Sequence, residues 1–138
     1  EDWEKEINEL NLDIALLYTK SQYLERRIHG IKLLFDIVKD LKYSSGSSLL
    51  TNQHMVDWLI KNKILDIVFN PKTYHVQIVQ RSDAIIRFLI EQNSFTNQDL
   101  QMVWESQAFD DEVKKEVYKI ISECAPVMDE NHINFLLQ

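Results

Sequence analysis

Two glycines and two prolines are all that 138 residues provide, and this scarcity constrains the fold more than any other feature of the chain. A sandwich or barrel turns back every dozen residues or so, and its turns lean on Gly, Pro and Asn-Gly pairs. With those nearly absent, the chain is expected to be all-α. At this length residues 1–138 are expected to form a single helical domain that buries roughly 68% of its unfolded surface, enough for a core without staples. The single cysteine excludes an internal disulfide framework and a Cys-based zinc cluster, and fits a reducing, cytoplasmic setting.

Fifteen basic residues stand against 22 acidic ones, a net charge of −7, which argues against nucleic acid or an anionic membrane as the principal partner. Residues 94–138 hold nine acidic and three basic groups, so a cationic partner would meet that third. No apolar run approaches the roughly 18 residues that span a bilayer. Glu1-Asp2-Trp3-Glu4 has the wrong charge for a signal peptide, and the missing initiator Met suggests a piece of a longer protein.

In the first 43 residues, Trp3, Ile7, Leu10, Ile14, Leu17, Leu24, Ile28, Ile31, Phe35 and Val38 recur at steps of about three and four, a helical stripe. Read strictly, the stripe is a heptad suited to a homodimeric coiled coil. Leu12, Ala15, Leu16, Leu34, Ile37 and Leu41 broaden it, which favours helices packed in a multi-helix core. The stripe weakens at Thr19-Lys20-Ser21-Gln22, so two helices, 3–20 and 22–42, are expected. Ser44-Ser45-Gly46-Ser47-Ser48 reads as the heart of a flexible connector over 44–50.

Thr51 then reads as an N-cap, because its hydroxyl can accept a backbone N–H of the following turn. Met55, Trp58 and Leu59 mark one helix. A turn at Asn62-Lys63 leads to a shorter helix with Ile64, Leu65, Ile67, Val68 and Phe69, stopped by Asn70-Pro71. Residues 74–92 read as one longer amphipathic helix through Ile78, Val79, Ile85, Ile86, Leu89 and Ile90. Thr96 is expected to cap the next helix, with Asp99 near its positive end and Leu100, Val103 and Trp104 on its inner face. Asp110-Asp111-Glu112 opens a helix through Val113, Val117, Ile120, Ile121 and Cys124, ended by Pro126. Asp129 caps a last one with Ile133, Leu136 and Leu137. The start Thr51-Asn52-Gln53-His54-Met55 returns as Thr96-Asn97-Gln98-Asp99-Leu100, an offset of 45 residues. Armadillo and HEAT units have periods of about 40–47 residues. About seven helices with short links therefore favour a helical solenoid over a closed bundle.

Little in the chain suggests chemistry. His29, His54, His75 and His132 lack metal-ligand spacing and read as surface or half-buried imidazoles. Cys124 falls on an apolar helical face and reads as an inert core thiol rather than a nucleophile. Gly30 and Gly46 cannot build a phosphate cradle. Arg26, Arg27 and Lys32 read as a solvated face, and Trp58 and Trp104 as core residues. Trp3 is expected to pack on a helix outside this chain. No catalytic residue, cofactor or metal is expected. The carboxylates Glu105, Asp110, Asp111, Glu112 and Glu116 are the candidates for contact with a protein partner, although a solvated face or service to the helix dipole explains them as well.

The string Tyr23-Leu24-Glu25-Arg26-Arg27-Ile28-His29-Gly30-Ile31-Lys32-Leu33-Leu34 resembles a Tyr-Leu/Phe-Glu-Lys-Arg-Leu-Asn-Gly-Leu stretch in the non-catalytic region of giant ubiquitin-specific proteases of the fat-facets type. The likeness continues through Leu50-Thr51, Trp58 to Val68, Phe95 to Gln107 and Val113 to Ala125. It implies an armadillo-like or HEAT-like segment upstream of a cysteine protease domain that removes ubiquitin, with ubiquitinated substrates or adaptors as protein partners. The Cys and His boxes of such proteases have no counterpart here, since Cys124 stands in Ser122-Glu123-Cys124-Ala125-Pro126, so no catalytic residue carries over. A free-standing helical adaptor or peptide-binding module is the alternative reading.

Overall fold

The computed structural model describes residues 2–43 and 50–138, and among these there are nine α-helices and no strand. They are α1 (Asp2–Thr19), α2 (Leu24–Tyr43), α3 (Asn52–Lys61), α4 (Ile64–Val68), α5 (Val76–Gln80), α6 (Asp83–Glu91), α7 (Asn97–Glu105), α8 (Asp111–Cys124) and α9 (Glu130–Leu136). Short 3₁₀ turns at Ser106–Ala108 and Ala125–Val127 flank α8. Residues 44–49 of the expected connector lie outside the described residues; Leu50 is buried.

The helix starts follow the capping chemistry of the sequence. Thr51 Oγ1 accepts from His54 N at 3.0 Å and Thr96 Oγ1 from Asp99 N at 3.1 Å. The two caps, 45 residues apart in sequence, thus share one geometry. Asp99 adds a reciprocal bond, its Oδ2 accepting from Thr96 N at 3.0 Å to close a capping box. Asp110 Oδ1 accepts from Glu112 N and Val113 N, and Asp129 Oδ1 from His132 N. Past Asn62, Lys63 takes the left-handed conformation, φ 52°, that lets α4 begin at once.

The expected single helix over 74–92 is divided. Ser82 is fully buried and its Oγ donates to Val79 O at 2.7 Å, while Arg81 N and Ser82 N bond to carbonyls three residues back. A serine hydroxyl that bonds a preceding carbonyl competes with the helical ladder, so α5 ends at Gln80 and α6 restarts at Asp83. Ser106 does the same at the end of α7, with Oγ on Val103 O at 2.6 Å.

Apart from α1 on α2, the main helix contacts join elements that are not adjacent in sequence. α1 packs on α2, α2 on α5 and α6, α8 on α5 and α6, and α7 on α9. Ile31, Leu34, Val38, Ile64, Val68, Ile78, Ile85, Ile86, Leu100, Val113 and Val117 belong to the buried core that runs through the array, each contributing on the order of 1.5–3 kcal/mol by leaving water. The broad N-terminal stripe separates into two faces. Leu12, Ala15 and Thr19 of α1 are buried, whereas Ile7, Leu10 and Leu17, expected to face a core, are exposed, as is Trp3.

Gly30 explains how closely α1 and α2 approach. A Cβ there would lie 2.5 Å from Thr19 N, 2.6 Å from Thr19 Oγ1 and 2.9 Å from Ala15 O, and two of those atoms are backbone that cannot swing aside. Gly30→Ala would stabilise a free helix by about 1 kcal/mol. In this protein it is expected to destabilise by about 1–3 kcal/mol, as overpacking does, seen as a lower urea midpoint at unchanged slope. Lys63→Gly should move the midpoint the other way, by up to about 1–2 kcal/mol, because glycine bears no left-handed penalty.

Candidate functional site

A concave surface lies between α2 and α6, with the start of α3 at one end. Val38 and Leu41 of α2 and Phe88 of α6 form a buried floor. Half-buried Phe35 stands on one wall, and Lys39, Arg87, Glu91, Asn52 and Gln92 supply polar groups. The groove holds about 490 Å³ and opens to solvent. Phe35 also walls a second hollow, lined by Lys32, Asp36, Gln80, Arg81, Asp83 and Lys119. The two hollows therefore form one tract carrying Lys32, Lys39, Arg81, Arg87 and Lys119 against Asp36, Asp83 and Glu91. Within a chain of net charge −7 this surface is locally basic.

Its side chains are partly held in place. Lys39 Nζ lies 5.9 Å from the centre of the Phe35 ring, within reach of a cation–π attraction. Arg87 Nη2 donates to Glu123 O at 2.6 Å, tying α6 to the end of α8, and Arg81 Nη1 donates to Gln77 O at 2.8 Å. Helical spacing on α2 alone, with Lys32, Phe35 and Lys39 on one side, carries a trace of this site. Its other wall comes from α6, more than forty residues further along the chain, which local periodicity does not reveal.

The five acidic candidates fall on either side of the 3₁₀ turn at Ser106–Ala108. Glu105 ends α7 and accepts from Gln101 Nε2 at 2.8 Å. Asp110 is occupied as the cap of α8. Asp111 and Glu112 are exposed in its first turn, and Glu116 is half-buried one turn on. Tyr74 Oη donates to Ser106 O at 3.2 Å, and its phenol is held above the ordinary range by burial, with the nearby Asp110 charge adding to it.

Other expectations change on inspection. Trp104 is 39% exposed rather than core, because Leu100 and Val103 take the inner face of α7 and leave the indole against the Tyr118 ring at 5.5 Å. It lines a shallow hollow with Gln101, Glu105, Phe135, Leu136 and Gln138. Trp58 is half-buried against the core. Arg27 is not simply solvated: it is half-buried, its Nη2 donates to Thr73 O at 2.6 Å, and burial lowers its pKa. His132 is buried, its Nε2 bonded to Phe95 O and its ring edge-on to Phe95. It therefore fastens α9 to the segment before α7. Among the described residues no group of three His, Cys, Asp or Glu is placed to hold a metal, and no helix is long and apolar enough to cross a membrane.

Cys124 is 1% exposed, and burial pushes its thiol up to about 11, with Arg87 opposing and Asp83, Glu123 and Glu91 adding. A nucleophilic cysteine needs the opposite shift.

A family model described as the UBP24/USP9X/USP9Y ARM repeat matches residues 5–138. Mouse ubiquitin carboxyl-terminal hydrolase 9X is 27% identical over 128 residues, 87% of this chain and 5% of that protein. Human ubiquitin carboxyl-terminal hydrolase 24 is 24% identical over 132 residues, 94% of this chain and 5% of the relative. The fruit-fly protein named probable ubiquitin carboxyl-terminal hydrolase FAF is 32% identical over 77 residues, 55% of this chain and 3% of its own length. The chain thus spans about a twentieth or less of these relatives.

A raised thiol pKa favours the protonated form in the folded state. Unfolded Cys124 releases its proton from pH 9.0 upward, and folded Cys124 only near 11, so between these values the unfolded state binds fewer protons and stability falls. Cys124→Ala is expected to flatten the decline in the urea midpoint between pH 9 and 11. At pH 8 a thiol-reactive dye should label the native protein only as fast as it opens.

Proposed function

Because this chain belongs to the ARM repeat family shared by UBP24, USP9X and USP9Y, we propose that it is a non-catalytic scaffold segment of a large ubiquitin-specific cysteine protease whose catalytic domain lies outside these residues. The observation that carries this reading is the tract around Phe35, an open groove with an apolar floor and a polar rim rather than an enclosed site. Such a surface suits an extended protein segment, and armadillo-type arrays use their curved surfaces for binding. The basic groups Lys32, Lys39 and Lys119 select an acidic segment, with an apolar side chain seated between Phe35 and Phe88. In this reading residues 1–138 act as one helical unit interrupted by a connector at 44–50, and the setting is cytoplasmic. Ubiquitinated substrates or adaptors are the partner class. Glu105, Asp111, Glu112 and Glu116 offer a second face for a basic partner.

The relatives are named as hydrolases, but the single cysteine of this segment lacks the exposure and lowered pKa of a nucleophile. Cys124 is buried and protonated at neutral pH, which supports a role in presenting partners rather than cleaving them.

Two measurements test the reading. The 138-residue chain should not release a fluorophore from a ubiquitin-linked reporter, and turnover abolished by Cys124→Ala would overturn its non-catalytic assignment. In the full-length protein, the pair Lys32→Glu and Lys39→Glu should leave reporter hydrolysis unchanged while reducing the proteins that co-purify with it. Unchanged co-purification would remove the groove from the account.

A further inference from the structure

Helix α1 carries more apolar surface than its contact with α2 uses. Leu12, Ala15 and Thr19 are buried, with Leu16 beside them. On the other side Trp3 is 60% exposed, Ile7 46%, Leu10 57% and Leu17 71%, and Ile14 is half-buried. At 100° per residue, these five outward positions fall within an arc of about 80°, nearly opposite the buried face. Their spacing of four, three, four and three residues is that of a seam made to meet another helix. Scattered exposed apolar residues are ordinary on a protein surface, but a continuous stripe on the order of several hundred Å² marks an interface.

We infer that this stripe is the stacking face for a further helical unit of the same polypeptide, one whose apolar seam is bordered by Lys or Arg. The inference rests on the proposed membership of a longer array. In repeat arrays each unit buries a face on its neighbour, and a unit that ends the array presents a polar outer surface. α1 is the outermost helix of the described array, packed principally on α2, and its outer surface is apolar. The relatives are about twenty times longer than this chain, so ample polypeptide exists in such proteins to supply the neighbour. Charge sets the neighbour's character: Glu6 and Asp13 are exposed along one border of the stripe. A second copy laid antiparallel on α1 would bring these acidic borders together, and like charges at that position oppose pairing.

The test is site-directed photo-crosslinking in the full-length protein, with a photoreactive phenylalanine analogue replacing Leu10 or Leu17 and a control at exposed Ile60. The expected product is a crosslink from either α1 position to a helical segment of the same polypeptide outside these residues. Mixing ¹⁴N- and ¹⁵N-labelled protein distinguishes this from a crosslink between copies. Hydroxyl-radical footprinting of the unsubstituted protein gives an independent readout. There Trp3, Leu10 and Leu17 should be modified about tenfold less than in the 138-residue chain, as core-like burial requires, with Ile60 unchanged. Crosslinks between copies or to another protein, or full modification of the stripe in the long chain, would overturn the inference while leaving the scaffold reading intact. A reading frame that ends close to these residues would overturn both.

Discussion

Helix α2 is the element against which the rest of the molecule takes its position. Ile31, Leu34, Val38 and Leu41 are buried on it, and it packs on α1, α5 and α6. Gly30 lets α1 approach to within backbone contact. The remaining side of the same helix carries Lys32, Phe35 and Lys39, which become one wall of the groove once α6 lies alongside. Helices α3 to α7 and α9, at ten residues or fewer, are too short to stand alone in water. Packing on α2 thus creates both the stability and the concave surface.

Much of this was legible in the sequence because capping is local chemistry. Thr51, Thr96, Asp110 and Asp129 all cap the helices expected of them, since a short oxygen-bearing side chain at a helix start has few better uses. The break after Thr19, the turn at Asn62-Lys63 and the burial of Cys124 were equally readable. The division at Ser82 was not, because its cause is a single hydroxyl that bonds Val79 O only after burial has excluded water.

What periodicity cannot decide is which of two apolar faces a neighbour will cover. α1 has both, and its strict stripe is the one left open. Trp104 failed as a core residue for a related reason: Val103 beside it points inward, and one step along a helix turns a side chain by about 100°. The groove was hidden because its walls are distant in sequence and its charges are unremarkable singly. Gly30 stood out as the one glycine expected inside a helix, and the close crossing of α1 now supplies its physical reason.

The scarcity of turn residues, the 45-residue recurrence of a Thr-capped helix and an apolar outer face on the outermost described helix all fit the proposal that this unit belongs to a continued array. A structure of the full-length protein by electron cryomicroscopy tests this most directly. If the unit belongs to a continued array, helices will stack without interruption onto α1, the Phe35 groove will remain open, and the catalytic domain will lie elsewhere in the chain. Density showing residues 1–138 as an isolated module on flexible tethers, with Trp3, Leu10 and Leu17 in solvent, would contradict it.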